Sequence, residues 1–92
     1  MQWRLFATLR ETVGKNEVAL DVGEDATLRE AFDALLEAHP EVKSEVLDED
    51  GQLYEHVRLL VDGSDPFASA EGWATTIPAD SELALFPPVS GG

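Results

Sequence analysis

The sequence contains no cysteine, which removes disulfides, thiolate metal sites and a nucleophilic thiol from any account of what it does. If the chain takes part in sulfur or thioester chemistry, another protein must supply the sulfur. Basic residues are scarce: six Lys and Arg stand against nineteen Asp and Glu, a formal charge of −13. That balance argues strongly against nucleic-acid binding, which needs Lys and Arg to neutralise phosphates, and anionic membranes are disfavoured by the same sign. Long hydrophobic runs are missing too. No apolar stretch reaches the about 18 residues of a membrane span and no basic-then-apolar leader opens the chain, so a cytoplasmic location is expected. There is no repeat, low-complexity segment, GxSxG, phosphate loop or dinucleotide fingerprint. In so acidic a chain a nominated Asp/Glu pair says nothing about acid–base catalysis, and a self-contained enzyme is not expected.

What is present suits one small domain. Ninety-two residues with 43% hydrophobic content allow a single modest core. The charge is self-repelling, and only two lysines, Lys15 and Lys43, accompany the acidic excess. The Debye length falls from about 10 Å at 0.1 M salt to about 3 Å at 1 M, so this composition suits a salt-rich, halophilic setting where the repulsion is screened. An acidic interaction surface is the competing explanation.

Alternation of Trp3, Leu5 and Ala7 with Arg4, Phe6 and Thr8 predicts a strand over 2–8. A turn at 14–16 and a second strand over 18–22 complete an expected hairpin. Thr27 and Glu30 have capping-box spacing, and Leu28, Ala31, Phe32, Leu35 and Leu36 form one helical stripe. Pro40 ends that helix near Ala38. A weaker helical turn is expected over 41–47, a solvated turn over 48–51, and a third strand over 55–62 ending in the Asp62-Gly63 turn signal. Segment 64–76 is irregular, and a final strand runs over 83–86. The order β-β-α-β-(β)-β predicts an α+β roll, with a mixed sheet packed on one main helix.

Two features of this layout concern function. If Trp3, Leu5, Val57, Leu59, Leu83 and Leu85 face the helix, then Phe6, Leu60, Ala84 and Phe86 share the opposite face as an apolar patch. The alternative is that 64–76 folds over them. The second feature is Pro87-Pro88-Val89-Ser90-Gly91-Gly92. The prolines end ladder pairing, and the four residues beyond them reach on the order of 13 Å, enough to enter a narrow channel. Glycine lacks a Cβ, so a partner's walls can close on the backbone. A frayed, inert tail is the bland reading. His39 and His56 lack metal-ligand spacing, and Asp48 to Asp50 lacks the spacing of a calcium loop, so no metal site is expected.

The blocks Leu5-Phe6-Ala7, Arg10-Glu11, Val13-Gly14, Thr27-Leu28, Ala31-Phe32, Leu35, Leu53-Tyr54 and, most specifically, residues 82–92 span nearly the whole chain. On them the sequence resembles the ubiquitin-like sulfur carriers of β-grasp fold. Within these it is similar to the small archaeal modifier proteins of haloarchaeal kind, related to the small subunit of molybdopterin synthase. The resemblance implies a β-grasp domain over 1–86 with a protruding tail over 87–92. It also implies that an activating enzyme uses ATP and Mg²⁺ to adenylate the Gly92 carboxylate, the chain itself binding no cofactor. Sulfur attack then gives a thiocarboxylate for a partner such as the molybdopterin synthase large subunit, whereas attack by a target-protein lysine gives an isopeptide bond. Phe6, Leu60 and Phe86 match the family's docking surface, and the free chain is expected to be a monomer. Segment 64–76 departs from the family pattern in being longer and more irregular.

Overall fold

A computed structural model describes residues 1–69 and 71–87; of the predicted tail, residues 88–92 lie outside this range. Strand β1 (Gln2–Leu5) buries Trp3 and Leu5 on one face and leaves Arg4 on the other, as the alternation predicts. The strand stops at Leu5, short of the expected Thr8. Ala7 takes φ 53°, which turns the chain out of the ladder, and Thr8–Val13 winds into helix α1 with Leu9 fully buried. Gly14, at φ 84°, closes α1 by donating its N–H to the Arg10 carbonyl at 2.9 Å, a left-handed cap that favours glycine. The expected hairpin is therefore an antiparallel pair joined through a helix. Its second strand, β2 (Glu17–Ala19), is shorter than 18–22. The Leu20 N–H donates to the Met1 carbonyl at 2.9 Å, and the ladder with β1 covers 17–19.

Strand β3 (Ala26–Thr27) leads directly into α2 (Leu28–Ala38), the main helix, at its predicted bounds. Thr27 Oγ1 accepts from Glu30 N at 3.2 Å, while Thr27 N donates to Glu30 Oε1 at 3.0 Å, completing the capping box. Leu28, Ala31, Phe32 and Leu35 are buried along one stripe. After a 3₁₀ turn at Pro40–Val42 comes α3 (Lys43–Val46), the weak helical turn of the sequence, anchored by fully buried Val42 and Val46. The 48–51 turn is held by Asp48, whose Oδ1 accepts from Asp50 N at 2.9 Å and Gln52 N at 3.0 Å.

Strand β4 (Arg58–Val61) begins three residues later than predicted. Its partner is β6 (Glu82–Phe86), with Arg58 opposite Phe86. Beyond Phe86 comes Pro87, which has no N–H to offer 55–57. Segment 64–76 resolves into α4 (Pro66–Ser69), a 3₁₀ turn at Gly72–Ala74 and β5 (Thr76–Ile77), which pairs with β3.

The main sheet has the order β2-β1-β6-β4. β1 and β6 run parallel at its centre, and β2 and β4 are antiparallel edges. One face packs on α2 through Trp3, Leu5, Leu59, Leu83 and Leu85. Trp3 sits at the junction: its ring lies 6.2 Å from Phe32, and its buried Nε1–H donates to the Ala31 carbonyl at 3.2 Å. That hydrogen bond removes the penalty of an unpaired buried donor.

Candidate functional site

The opposite face of the sheet carries the residues singled out from the sequence. Along β6, Leu83 and Leu85 point into the core, so Glu82, Ala84 and Phe86 point away from it. Register then builds two rows across the strands. Arg4, Ala84 and Leu60 lie in line, and Arg58 lies opposite Phe86. Phe6, just past the end of β1, stacks on Phe86 with ring centroids 4.3 Å apart and planes 9° from parallel. The two rings, with Leu60, Ala84, Arg4 and Glu82, line a shallow concavity of about 440 Å³. Phe6 remains 37% exposed, well outside the core.

Segment 64–76 does not cover this face. Trp73 packs on Phe32 of α2 with centroids 5.1 Å apart and on Phe67 at 5.2 Å, while the Arg29 guanidinium lies 4.6 Å above the indole. The segment is thus fastened to the helix side, and the face bearing Phe6, Leu60 and Phe86 is uncovered among the described residues.

Charge is unevenly placed on that face. Arg4 bridges Glu17 at 3.4 Å and Glu82 at 3.3 Å, with all three side chains about half exposed. This compensated trio ties β2, β1 and β6 together and contributes at most about 1 kcal/mol per pair. Asp62 joins the same end: its N–H donates to the Glu82 carbonyl at 2.8 Å, and its Oδ1 accepts from Glu82 N at 3.0 Å. Asp62 and Gly63 have φ 49° and 85° and close a two-residue turn between Val61 and Ser64. This is the geometry that an Asp-Gly signal selects. At the other end Arg58 is exposed beside Phe86, next to the point where the chain enters Pro87, which is buried.

Pro88, Val89, Ser90, Gly91 and Gly92 lie outside the described residues. Among the described residues no three of His, Asp and Glu gather as a metal site. His39 Nδ1 instead faces Glu41 Oε2 at 3.4 Å. No helix among them is long and apolar enough to cross a membrane.

These features assemble on a recognisable frame, and the comparisons with known proteins agree with it. The sequence profile of the ThiS family matches residues 3–92. The chain belongs to the ThiS family. It is 51% identical over 92 residues to small archaeal modifier protein 1 of Haloferax volcanii, covering the whole of both chains. The crystal structure of SAMP1 from the same organism superposes with a TM-score of 0.86 at 46% identity, covering 100% of this chain and 98% of that one. A putative molybdopterin converting factor, subunit 1, from Pyrococcus furiosus matches with a TM-score of 0.72 at 25% identity, over 96% of this chain and 95% of that one. The fold is therefore a ubiquitin-like β-grasp, and the family is one of small modifier and sulfur-carrier proteins, not catalytic enzymes.

Proposed function

We propose that this chain is a carrier and covalent modifier whose Gly92 carboxylate is adenylated by an activating enzyme and then passed to sulfur or to protein lysines. The observation that carries this reading is the continuity of β6. One strand places Leu83 and Leu85 in the core, Phe86 on the uncovered face and Pro87 at the start of the diglycine segment. A partner that grips Phe6, Leu60 and Phe86 is thereby registered against the tail, with Pro87, Pro88, Val89, Ser90 and Gly91 as the spacer.

With no cysteine in the chain, the sulfur comes from outside it. A carboxylate is a poor electrophile, so the Gly92 oxygen attacks the α-phosphorus of ATP held with Mg²⁺ by the activating enzyme, and pyrophosphate leaves. Hydrosulfide then attacks the acyl carbon; the C–S bond forms, the C–O bond to AMP breaks, and a thiocarboxylate remains. With a lysine amine as nucleophile, an isopeptide bond forms, AMP leaves and the nitrogen releases a proton. The part of this chain in both steps is to present the carboxylate. The thiocarboxylate suits a molybdopterin synthase large subunit as acceptor, in keeping with the Pyrococcus relative's name. The free chain is read as a cytoplasmic monomer with its docking face open.

Intact-mass measurement with the cognate activating enzyme, MgATP and sulfide tests this. The expected product is the chain with one oxygen exchanged for sulfur, and Gly-Gly remnants should be found on cellular lysines. Finding neither removes the reading.

A further inference from the structure

We propose that Arg58 is a specificity-determining docking residue, pairing with a carboxylate on the activating enzyme beside the mouth of the channel that takes the tail. The proposal rests on the carrier reading above and adds to it the sign of the partner's surface at one point.

Three observations carry it. First, Arg58 is the direct cross-strand partner of Phe86 and follows the same alternation as Leu60, so its side chain leaves the sheet on the docking face. It also lies at the end of that face where the chain enters Pro87. Second, it differs from Arg4, the other arginine of this face; Arg10 is also unpaired but stands on α1, away from the sheet. Arg4 is neutralised by Glu17 and Glu82, and Arg29 lies on Trp73 at the helix side. The Arg58 side chain has no ion pair or hydrogen bond to any described residue, its backbone alone being tied to Phe86 in the ladder. Third, the face has a polarity. Arg4 is paired with Glu17 and Glu82 at one end, where Asp62 Oδ1 accepts from Glu82 N, and a bare guanidinium stands at the other.

In a chain of net charge −13, an uncompensated cation beside the apolar contact runs against the trend of the whole surface. A partner that covers Phe86 also removes water from around Arg58, and a desolvated guanidinium needs an anion. A carboxylate meets it with two parallel N–H···O bonds, so the contact fixes orientation as well as sign. Such a pair survives salt that screens longer-range interactions, because its partners touch.

The competing explanation is that Arg58, on an edge strand, only guards against edge-to-edge pairing. Steady-state adenylation separates the two. The cognate activating enzyme, with MgATP, is titrated with wild type, Arg58→Lys, Arg58→Ala and Arg58→Glu, and each variant's melting temperature and oligomeric state are measured alongside. The proposal expects kcat within about twofold throughout and KM for the carrier raised about 5- to 10-fold in R58A, more in R58E and least in R58K. Unchanged KM in R58A and R58E with an active wild type overturns the proposal alone, whether or not those variants self-associate. No adenylate from wild type overturns the carrier reading and this proposal with it.

Discussion

Replacing Phe86 by alanine should separate docking from folding. The Phe86 ring lies on the outer face, half-buried and stacked on Phe6 at 4.3 Å. Losing part of its apolar burial and one aromatic pair costs about 1–2 kcal/mol. For a domain of this size that lowers the melting temperature by about 5–10 °C. Phe32→Ala is the reference: Phe32 is only 1% exposed and touches Trp3 and Trp73, so its truncation costs about 3–5 kcal/mol. Binding should rank the two positions in reverse. If Phe86 anchors the activating enzyme, its loss costs about 2 kcal/mol or more of docking energy, a rise in KM of about 30-fold. The assay is carrier-dependent ATP–pyrophosphate exchange at a temperature where both variants are folded, with thermal melts run in parallel. A KM for F86A within about threefold of wild type, or a melting-temperature loss equal to that of F32A, would refute the reasoning.

Deleting Gly91-Gly92 should abolish adenylation and conjugation and leave the melting temperature unchanged; retained activity would show that the reactive carboxylate is not specified by the diglycine. Raising KCl from 0.1 to 1 M should raise the melting temperature by about 5 °C or more, because screening relaxes the repulsion of nineteen acids against six bases. A flat or falling curve would exclude salt adaptation as the reason for the composition. Thr27→Ala removes the hydroxyl that accepts from Glu30 N at 3.2 Å and should cost about 1 kcal/mol by denaturant melt; Glu30→Ala should behave alike, and the double variant should lose less than the sum. Trp73→Ala should destabilise by about 3 kcal/mol while leaving KM for the carrier unchanged, since the indole packs on the helix side. A KM shift matching that of F86A would show that 64–76 belongs to the docking surface.

Much of this was legible in the residues because local and global signals agreed. The capping box and apolar stripe bounded α2, and strict alternation sorted Trp3, Leu5, Leu83 and Leu85 from Phe6, Ala84 and Phe86. Strand lengths were not legible, because a strand ends where its neighbour does. β2 pairs only with Gln2 to Arg4 of β1, and β4 starts where β6 meets Pro87. Helix α1 escaped because six residues without a side-chain cap give almost no periodic signal. Leu9 and Val13 at i, i+4 before Gly14 were the available hint. The Arg4 clamp and the Arg58–Phe86 pairing needed register, which a single sequence does not display. Trp73 was hidden for the same reason, since its partners Phe32 and Arg29 lie far back in the chain.

The position of 64–76 decides what the outer face can do. A four-stranded sheet with one helical layer leaves its second face to solvent unless another segment crosses over it. Here the segment long enough to do so carries Trp73, which packs on Phe32 and under Arg29 on the helix side, with Phe67 edge-on to the same indole. Among the described residues the outer face is then left to water. Stacking Phe6 on Phe86 reduces the apolar area that the pair exposes, and the acids around Arg4 flank it with charge. Because β6 serves both faces, a change in Leu83 or Leu85 that shifts the strand would also move Phe86 and the base of the tail. The core thereby holds Phe6, Leu60 and Phe86 in a fixed relation to Pro87, so on the proposed reading a partner gripping these three would also be registered against the start of the tail.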